Sequence, residues 1–169
     1  MKHQKGFSLI ELLIVVSIIL VVAALAIPSL LRSRMAANEA SAVGSIRNIN
    51  TAMVTYSVSY PDQGYAPTLQ SLGNGGTCTA PSPTNACLID DTLANATTTP
   101  KSGYTFALTV PGTPPNLSYV VGASANTFNS DGVRDFCSME DGVIRFDTPI
   151  SQQTPVTTAA GCQAFTTMQ

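Results

Sequence analysis

The charged residue with the most unusual surroundings is Glu11. It is the only charged residue between Lys5 and Arg32, in a run that is otherwise almost entirely apolar. A carboxylate in the middle of hydrocarbon costs about 2.5–3.5 kcal/mol on insertion scales, so such residues are usually functional. Its natural partner is a cation. If the chain were cut after Gly6, the new α-amine of Phe7 would lie one helical turn from Glu11, within the chain or on a neighbour.

Residues able to carry out enzymatic catalysis are scarce. The only histidine is His3, which cleavage after Gly6 would remove, and Lys101 would then be the last lysine. This excludes Ser-His-Asp and Cys-His catalysis, and the sequence contains no phosphate-binding loop or zinc-protease motif. We predict that the chain is not an enzyme and has no cofactor. Solvated loop charges are expected at the acidic pairs Asp90/Asp91, Asp131/Asp135 and Glu140/Asp141.

The charge balance of the 169 residues is also informative. Charged residues make up 11% of the chain, and the formal net charge is −2. Nucleic-acid binders normally carry a basic patch or stripe, so no specific nucleic-acid partner is predicted. The sequence after the apolar run is rich in Thr, Ser, Asn, Pro and Gly, which is typical of a loop-rich secreted domain.

The apolar run, residues 7–31, is long enough to cross a bilayer. As a helix it reaches roughly 37 Å, against a hydrocarbon core of about 30 Å. Lys2 and Lys5 precede it, so the positive-inside rule places the N-terminus in the cytoplasm. We predict a single-pass membrane protein.

Two simpler interpretations of this run remain open. It could be a plain membrane anchor in which Glu11 is tolerated at the interface. It could instead be an ordinary signal peptide, cut at the small-x-small pattern Ala24-Leu25-Ala26, that carries a secreted binding domain. Glu11 lies inside the supposed apolar core of that signal, and the run continues to Leu31, which argues against this interpretation.

The N-terminus resembles a known processing signal. The residues that carry the resemblance are Lys5-Gly6-Phe7-Ser8-Leu9-Ile10-Glu11-Leu12-Leu13-Ile14-Val15-Val16. They are similar to the class III signal of type IV prepilins and type II secretion pseudopilins. In that family a membrane peptidase cuts after the glycine and methylates the new N-terminal phenylalanine, which implies cleavage at Gly6 and N-methylation of Phe7. The family's buried glutamate falls on Glu11, and its helix-kinking proline falls on Pro28, which would otherwise simply mark the end of the span.

The resemblance implies a structural role. We expect a subunit of a type IV pilus, with a pseudopilin of type II secretion or a minor pilin as the alternative, because residues 60–69 are similar to both groups. The implied partners are copies of the chain and other pilins in a helical filament, the prepilin peptidase/methyltransferase, and an inner-membrane assembly platform. After assembly the chain would lie in an extracellular pilus or a periplasmic pseudopilus.

The helix is predicted to continue well beyond the membrane. Apolar residues recur at spacings of 3, 4, 3 and 4, which indicates one helical stripe that ends before Pro61; they are Ile46, Ile49, Met53, Tyr56 and Tyr60. A second helix that starts after a break near Pro28–Arg34 remains possible. The predicted organisation is a leader (1–6), a transmembrane assembly half of the helix (7–31), an amphipathic half (32–60) and a globular head (61–169).

The head is predicted to hold a small antiparallel sheet. Turn-rich sequence dominates residues 61–102, with a short helical turn near Leu69–Leu72. Strand patterns follow, and residues 139–142 form a good hairpin turn. The predicted strands are Tyr104–Val110, Leu117–Ala123, Val133–Ser138 and Val143–Asp147. The fold class is therefore α+β and pilin-like: a long helix packed on about four strands, followed by a polar tail, residues 148–169.

Four cysteines lie in the part expected outside the cytoplasm, where disulfides form. Three pairings are possible, and we expect the local one, Cys78–Cys87 and Cys137–Cys162. The second bond is also similar to the C-terminal disulfide loop of type IV pilins. A zinc site is disfavoured because no C-x-x-C or nearby histidine occurs. A partial calcium-loop pattern begins at Thr127 but lacks its first aspartate and its final glutamate, so no metal site is predicted.

Overall fold

The computed structural model describes residues 8–78 and 80–168. The chain forms two compact units, one that ends at Arg34 and one that begins at Met35. Helix α1, Leu9–Ser59, contributes residues to both units, and each unit is described separately here. The α+β fold class with a long N-terminal helix is confirmed.

The first unit is the apolar part of α1. The most apolar 18-residue window of this helix has a mean hydropathy of 3.1, and none of that window is buried. By length and composition α1 is able to cross a membrane. The helix is continuous through Pro28, so the alternative of a separate second helix after a break is wrong.

The second unit holds the rest of α1 and a five-stranded antiparallel sheet in the order β1-β2-β3-β4-β5. The strands are β1 (Tyr104–Thr109), β2 (Val120–Ala125), β3 (Asp135–Met139), β4 (Arg145–Asp147) and β5 (Thr166–Thr167). Three short helices complete it: α2 (Leu69–Leu72), α3 (Asp91–Ala94) and α4 (Ala159–Gln163).

One face of the sheet packs on α1. The predicted helical stripe lies at this contact, with Ile46, Ile49 and Met53 fully buried. On the sheet side the contact is made by inward residues such as Phe106 and Phe136, which belong to the same core cluster. Alternate residues of a strand point to opposite faces, and every residue of β2 and β3 is buried, so the opposite face of these strands is covered as well.

The C-terminal segment covers the opposite face. A second cluster there joins Val120, Cys137 and Met139 of the sheet to Cys162 of α4, with Val156 packed against them. The sheet is therefore a central layer between α1 and the C-terminal segment.

The structure corrects three details of the predicted head. The sheet has five strands instead of about four, because residues in the predicted tail pair with β4. Strand β2 begins at Val120 instead of at Leu117, since Leu117 lies in a loop and is 80% exposed. The predicted tail also contains α4, and the turn-rich region contains α3 as well as the expected turn α2.

Candidate functional site

Glu11 lies in the first turn of α1 with its side chain exposed. A negative charge there is favourable, because unpaired N–H groups give a helix N-terminus a partial positive charge, an effect of about 0.3–1 kcal/mol. Within the described residues no ion pair includes Glu11. Gly6 and Phe7 lie outside the described residues, so cleavage, methylation and the pairing of Glu11 with the Phe7 amine remain predictions.

The apolar half of α1 contains one side-chain hydrogen bond and one proline. The Ser17 hydroxyl donates a hydrogen bond of 2.8 Å to the carbonyl oxygen of Leu13, one turn earlier. This satisfies the hydroxyl without water, as a hydrocarbon environment requires. Pro28 has no N–H, so the carbonyl of Ala24 lacks the helical hydrogen bond it would otherwise accept. Pro28 is therefore a weak point in a continuous helix, and its role as a kink remains a prediction.

The second unit contains a buried carboxylate that was not predicted from the sequence. Glu39, on α1, is 4% exposed. Its Oε1 accepts hydrogen bonds from the backbone N–H groups of Val133 (3.0 Å) and Arg134 (3.3 Å). Its Oε2 accepts from Nε of Arg134 at 2.7 Å and forms an ion pair with Nη2 of the same guanidinium at 2.6 Å. Glu39 therefore ties α1 to the segment that leads into β3.

Neighbouring contacts strengthen this tie. The Asn38 side-chain amide donates to the carbonyl oxygen of Asp131 at 2.9 Å, and the Tyr104 hydroxyl donates to that of Arg134 at 2.8 Å. One signal in the sequence could have indicated Glu39: it lies seven residues before Ile46 and so on the same helical stripe. A carboxylate on a buried stripe needs a partner, because an unpaired buried charge is strongly unfavourable.

The acidic pairs expected to be solvated differ from one another. Asp135 is only 7% exposed, so the expectation is wrong for this residue. Burial raises the pKa of Asp135 from its ordinary 3.8 to about 6, a hydrogen bond from the backbone N–H of Ala125 opposes the shift, and the carboxylate of Asp147 adds to it. Asp147 lies directly opposite Asp135 in the β3–β4 register.

Asp141 is a different case. It forms an ion pair with Arg145 at 2.5 Å, and the hydrogen bond from this guanidinium lowers the pKa of the Asp141 carboxyl. The Asp141 side chain is 38% exposed, so solvent screens the pair and it contributes about 1 kcal/mol or less to stability.

The disulfide bonding of the head is confirmed, and the cysteines are joined in the local arrangement. Cys78–Cys87 closes a surface loop, and Cys137–Cys162 joins the centre of β3 to α4. Both cysteines of the second bond are fully buried in the second cluster, on the face of the sheet opposite α1. This bond therefore holds the C-terminal segment on the sheet.

A metal centre has no counterpart in the described part of the chain. Among residues 8–78 and 80–168, no three side chains of His, Cys, Asp or Glu come together in a way that could hold a metal ion.

Two comparisons with known proteins bear on the family of the chain. Residues 1–27 match the family model described as a prokaryotic N-terminal methylation motif. A stretch of 39 residues is 56% identical to the type IV wide pilus major component PilA4 of Thermus thermophilus, covering 23% of this chain and 30% of that relative. No solved structure matches the chain. The resemblance is thus confirmed: the chain carries a prokaryotic N-terminal methylation motif and is type IV pilin-like.

Proposed function

We propose that this chain is a structural subunit of a type IV pilus, cut after Gly6 and polymerised through its N-terminal helix. The observation that carries the proposal is the single carboxylate, Glu11, in the first turn of an exposed apolar helix. The methylation motif covers this turn. An ordinary anchor has no use for a charge at this position, whereas a subunit that packs against copies of itself does.

Glu11 would act as a register device. Cleavage leaves an α-amine on Phe7, and N-methylation keeps that amine charged. In a filament core without water, each of the two charges is costly unless it meets the other. An incoming subunit that slides past its correct position leaves both unpaired. The penalty for misalignment would therefore select one axial register.

Before assembly the chain would be stored in the inner membrane with its N-terminus in the cytoplasm. The prepilin peptidase and the assembly platform would act on it there. The head would fold outside the cytoplasm, where its two disulfides can form. Its role in the filament would be to provide surface.

The proposal is tested by Glu11→Gln, a nearly isosteric change that removes the charge. We expect a stable membrane pool of processed chain and a loss of surface filaments, measured by shearing cells and quantifying the chain in both fractions. Glu140→Gln, an exposed glutamate of the head, is the matched control and should assemble normally. Normal filaments from Glu11→Gln would overturn the register mechanism.

The same cells distinguish a major pilin from its alternatives. Long surface filaments composed mainly of this chain are expected for a major pilin. A pseudopilin would remain periplasmic, and a minor pilin would be present in filaments at trace level. Either result would show that the chain is not a major pilin and would assign it to the corresponding class.

A further inference from the structure

The head part of α1 has an exposed stripe opposite its core stripe. Arg47, Thr51, Val54 and Val58 are spaced 4, 3 and 4, so they share one helical face. All four are exposed, and the two valines are 53% and 75% exposed. We call these four residues the outer stripe. Val54 and Val58 are one helical turn apart and give this face a small exposed apolar area.

The two sides of the outer stripe carry opposite charges. On one side, Arg47 and Met168 line two adjoining cavities of about 270 and 360 Å³ between α1 and the β4–β5 edge. On the other side, Thr51 and Asp90 line a cavity of about 300 Å³ between α1 and the segment that leads into α3. We call them the Arg47 flank and the Asp90 flank.

The two charged residues after which these flanks are named form no ion pair within the described part of the head. The described residues form two ion pairs, Arg134–Glu39 and Arg145–Asp141, and neither includes Arg47 or Asp90. Asp90 is the N-cap residue of α3, yet its side chain makes no capping hydrogen bond. Arg47 and Asp90 line different cavities, and no ion pair joins them within one chain. Each flank therefore presents one free charge beside apolar surface.

We infer that the Arg47 flank of one copy docks on the Asp90 flank of a second copy, with the outer stripe in the contact. The complementary charges favour this pairing over contact between two like flanks, because like charges placed together at an interface are strongly unfavourable. Since the two flanks are different surfaces, the contact is heterologous, and repeating it propagates a ring or a helical filament. The occupant is thus another copy of this chain.

Apolar contact would accompany the charge pair. Val54 and Val58 lie between the flanks, and Leu88 lines the Asp90 flank while Met168 lines the Arg47 flank. Burying these side chains supplies the non-directional part of the association. The ion pair then fixes orientation, since charges at an interface contribute specificity more reliably than affinity.

This inference rests on the proposed function, and a charge swap tests it in cells that assemble filaments of the full chain. Arg47→Asp and Asp90→Arg each place like charges in every contact. Each should lower the filament fraction about tenfold, which corresponds to about 1.4 kcal/mol per contact. The double variant restores complementarity and should return the fraction to within about twofold of the parent, a residual difference of well under 1 kcal/mol.

Controls separate the possible failures. Glu140→Arg makes the same charge change as Asp90→Arg at an exposed glutamate outside both flanks, and should leave assembly unchanged. The oxidised membrane pool should be equal in all variants, which shows that folding and insertion are intact. If both single variants assemble like the parent, or if the double variant is not rescued, this interface is wrong while the proposed function stands. If the parent itself builds no filament, both fail.

Discussion

Two buried carboxylates in the head show how surroundings decide what the same chemical group does. Glu39 accepts two backbone hydrogen bonds and meets a guanidinium, so its charge is compensated. Asp135 accepts one backbone hydrogen bond and faces Asp147 across the sheet, so its charge is opposed. Glu39 should therefore stabilise the fold at neutral pH, whereas Asp135 should destabilise it.

Removing the two partners of the Glu39 ion pair should have unequal effects. Glu39→Ala leaves the N–H groups of Val133 and Arg134 without an acceptor, and we expect a loss of about 2–4 kcal/mol in the free energy of unfolding. Arg134→Ala leaves Glu39 with its two backbone donors, and because Arg134 is 39% exposed the expected loss is smaller, about 1–2 kcal/mol. Urea unfolding of the detergent-solubilised chain measures both. Equal losses would show that the guanidinium, and not the backbone contact, dominates.

Asp135 should make the head less stable as the pH rises. Its pKa is raised to about 6 in the folded chain, so the folded state holds this proton more tightly than the unfolded state does. The stabilisation by the neutral carboxyl is present below about pH 4 and is lost as the pH passes 6. Asp135→Asn keeps the group neutral and keeps an acceptor for the Ala125 N–H. We expect the free energy of unfolding of this variant to be about 1 kcal/mol larger than that of the parent at pH 7.5 and equal to it near pH 4.

The measurement is the difference in the free energy of unfolding between Asp135→Asn and the parent at the two pH values. Carboxylates far from position 135 contribute equally to both chains and cancel from this difference, whereas the repulsion between Asp135 and Asp147 is part of the effect measured. An advantage of the same size at pH 4 and pH 7.5 would mean that the substitution acts through packing, not through the charge.

At the scale of elements, the C-terminal segment is held against the sheet by close backbone contact as well as by a disulfide. Val156 crosses β2 directly over Gly122, where any β-carbon would collide with the Val156 backbone. The Gln152 side-chain amide donates to the carbonyl oxygen of Ala125 at 2.7 Å, and Cys162 is bonded to Cys137. The three contacts lie along β2 and β3, so they dock the segment over its whole crossing.

Gly122→Ala should therefore loosen this layer. The added methyl group forces the segment outward, and overpacking of this kind costs about 1–3 kcal/mol. Gly44→Ala is the matched control: it lies inside α1, where an added β-carbon would meet nothing within 4 Å, and should stabilise by about 0.8–1 kcal/mol. Urea unfolding and limited proteolysis of residues 148–158 measure the two effects. Unchanged protection of the segment in Gly122→Ala would contradict the role assigned to this crossing.

Elements with a local sequence pattern could be predicted, whereas elements that depend on distant contacts could not. The amphipathic half of α1 repeats its apolar residues at helical spacing over four turns, so local pattern was sufficient. Strand β5, Thr166–Thr167, is two exposed residues long and has no pattern of its own; it pairs with β4 because Cys162 brings the chain there. Glu39 contacts residues about 95 positions away in sequence, and no local spacing encodes that partner.

At the scale of the whole molecule, the two compact units have different proposed roles: the first in processing and assembly, the second as a separately folded head. The unit that ends at Arg34 is an apolar helix whose distinctive features are Glu11 and Pro28. The unit that begins at Met35 has its own core and both disulfides. A change confined to the N-terminus should therefore alter processing and assembly while the head folds and oxidises normally.

Gly6→Val tests this division together with the cleavage site. A β-branched side chain beside the scissile bond should block the peptidase, because glycine leaves the backbone unhindered. We expect intact chain with its leader in the membrane, both disulfides formed, and no filaments, measured by intact mass and by shearing. Ala26→Leu is the control that removes the small-x-small pattern of an ordinary signal peptide, and its mature chain should still begin at Phe7. A mature chain that begins at Ile27 in the parent, and is lost in Ala26→Leu, would replace the pilin proposal with a secreted domain.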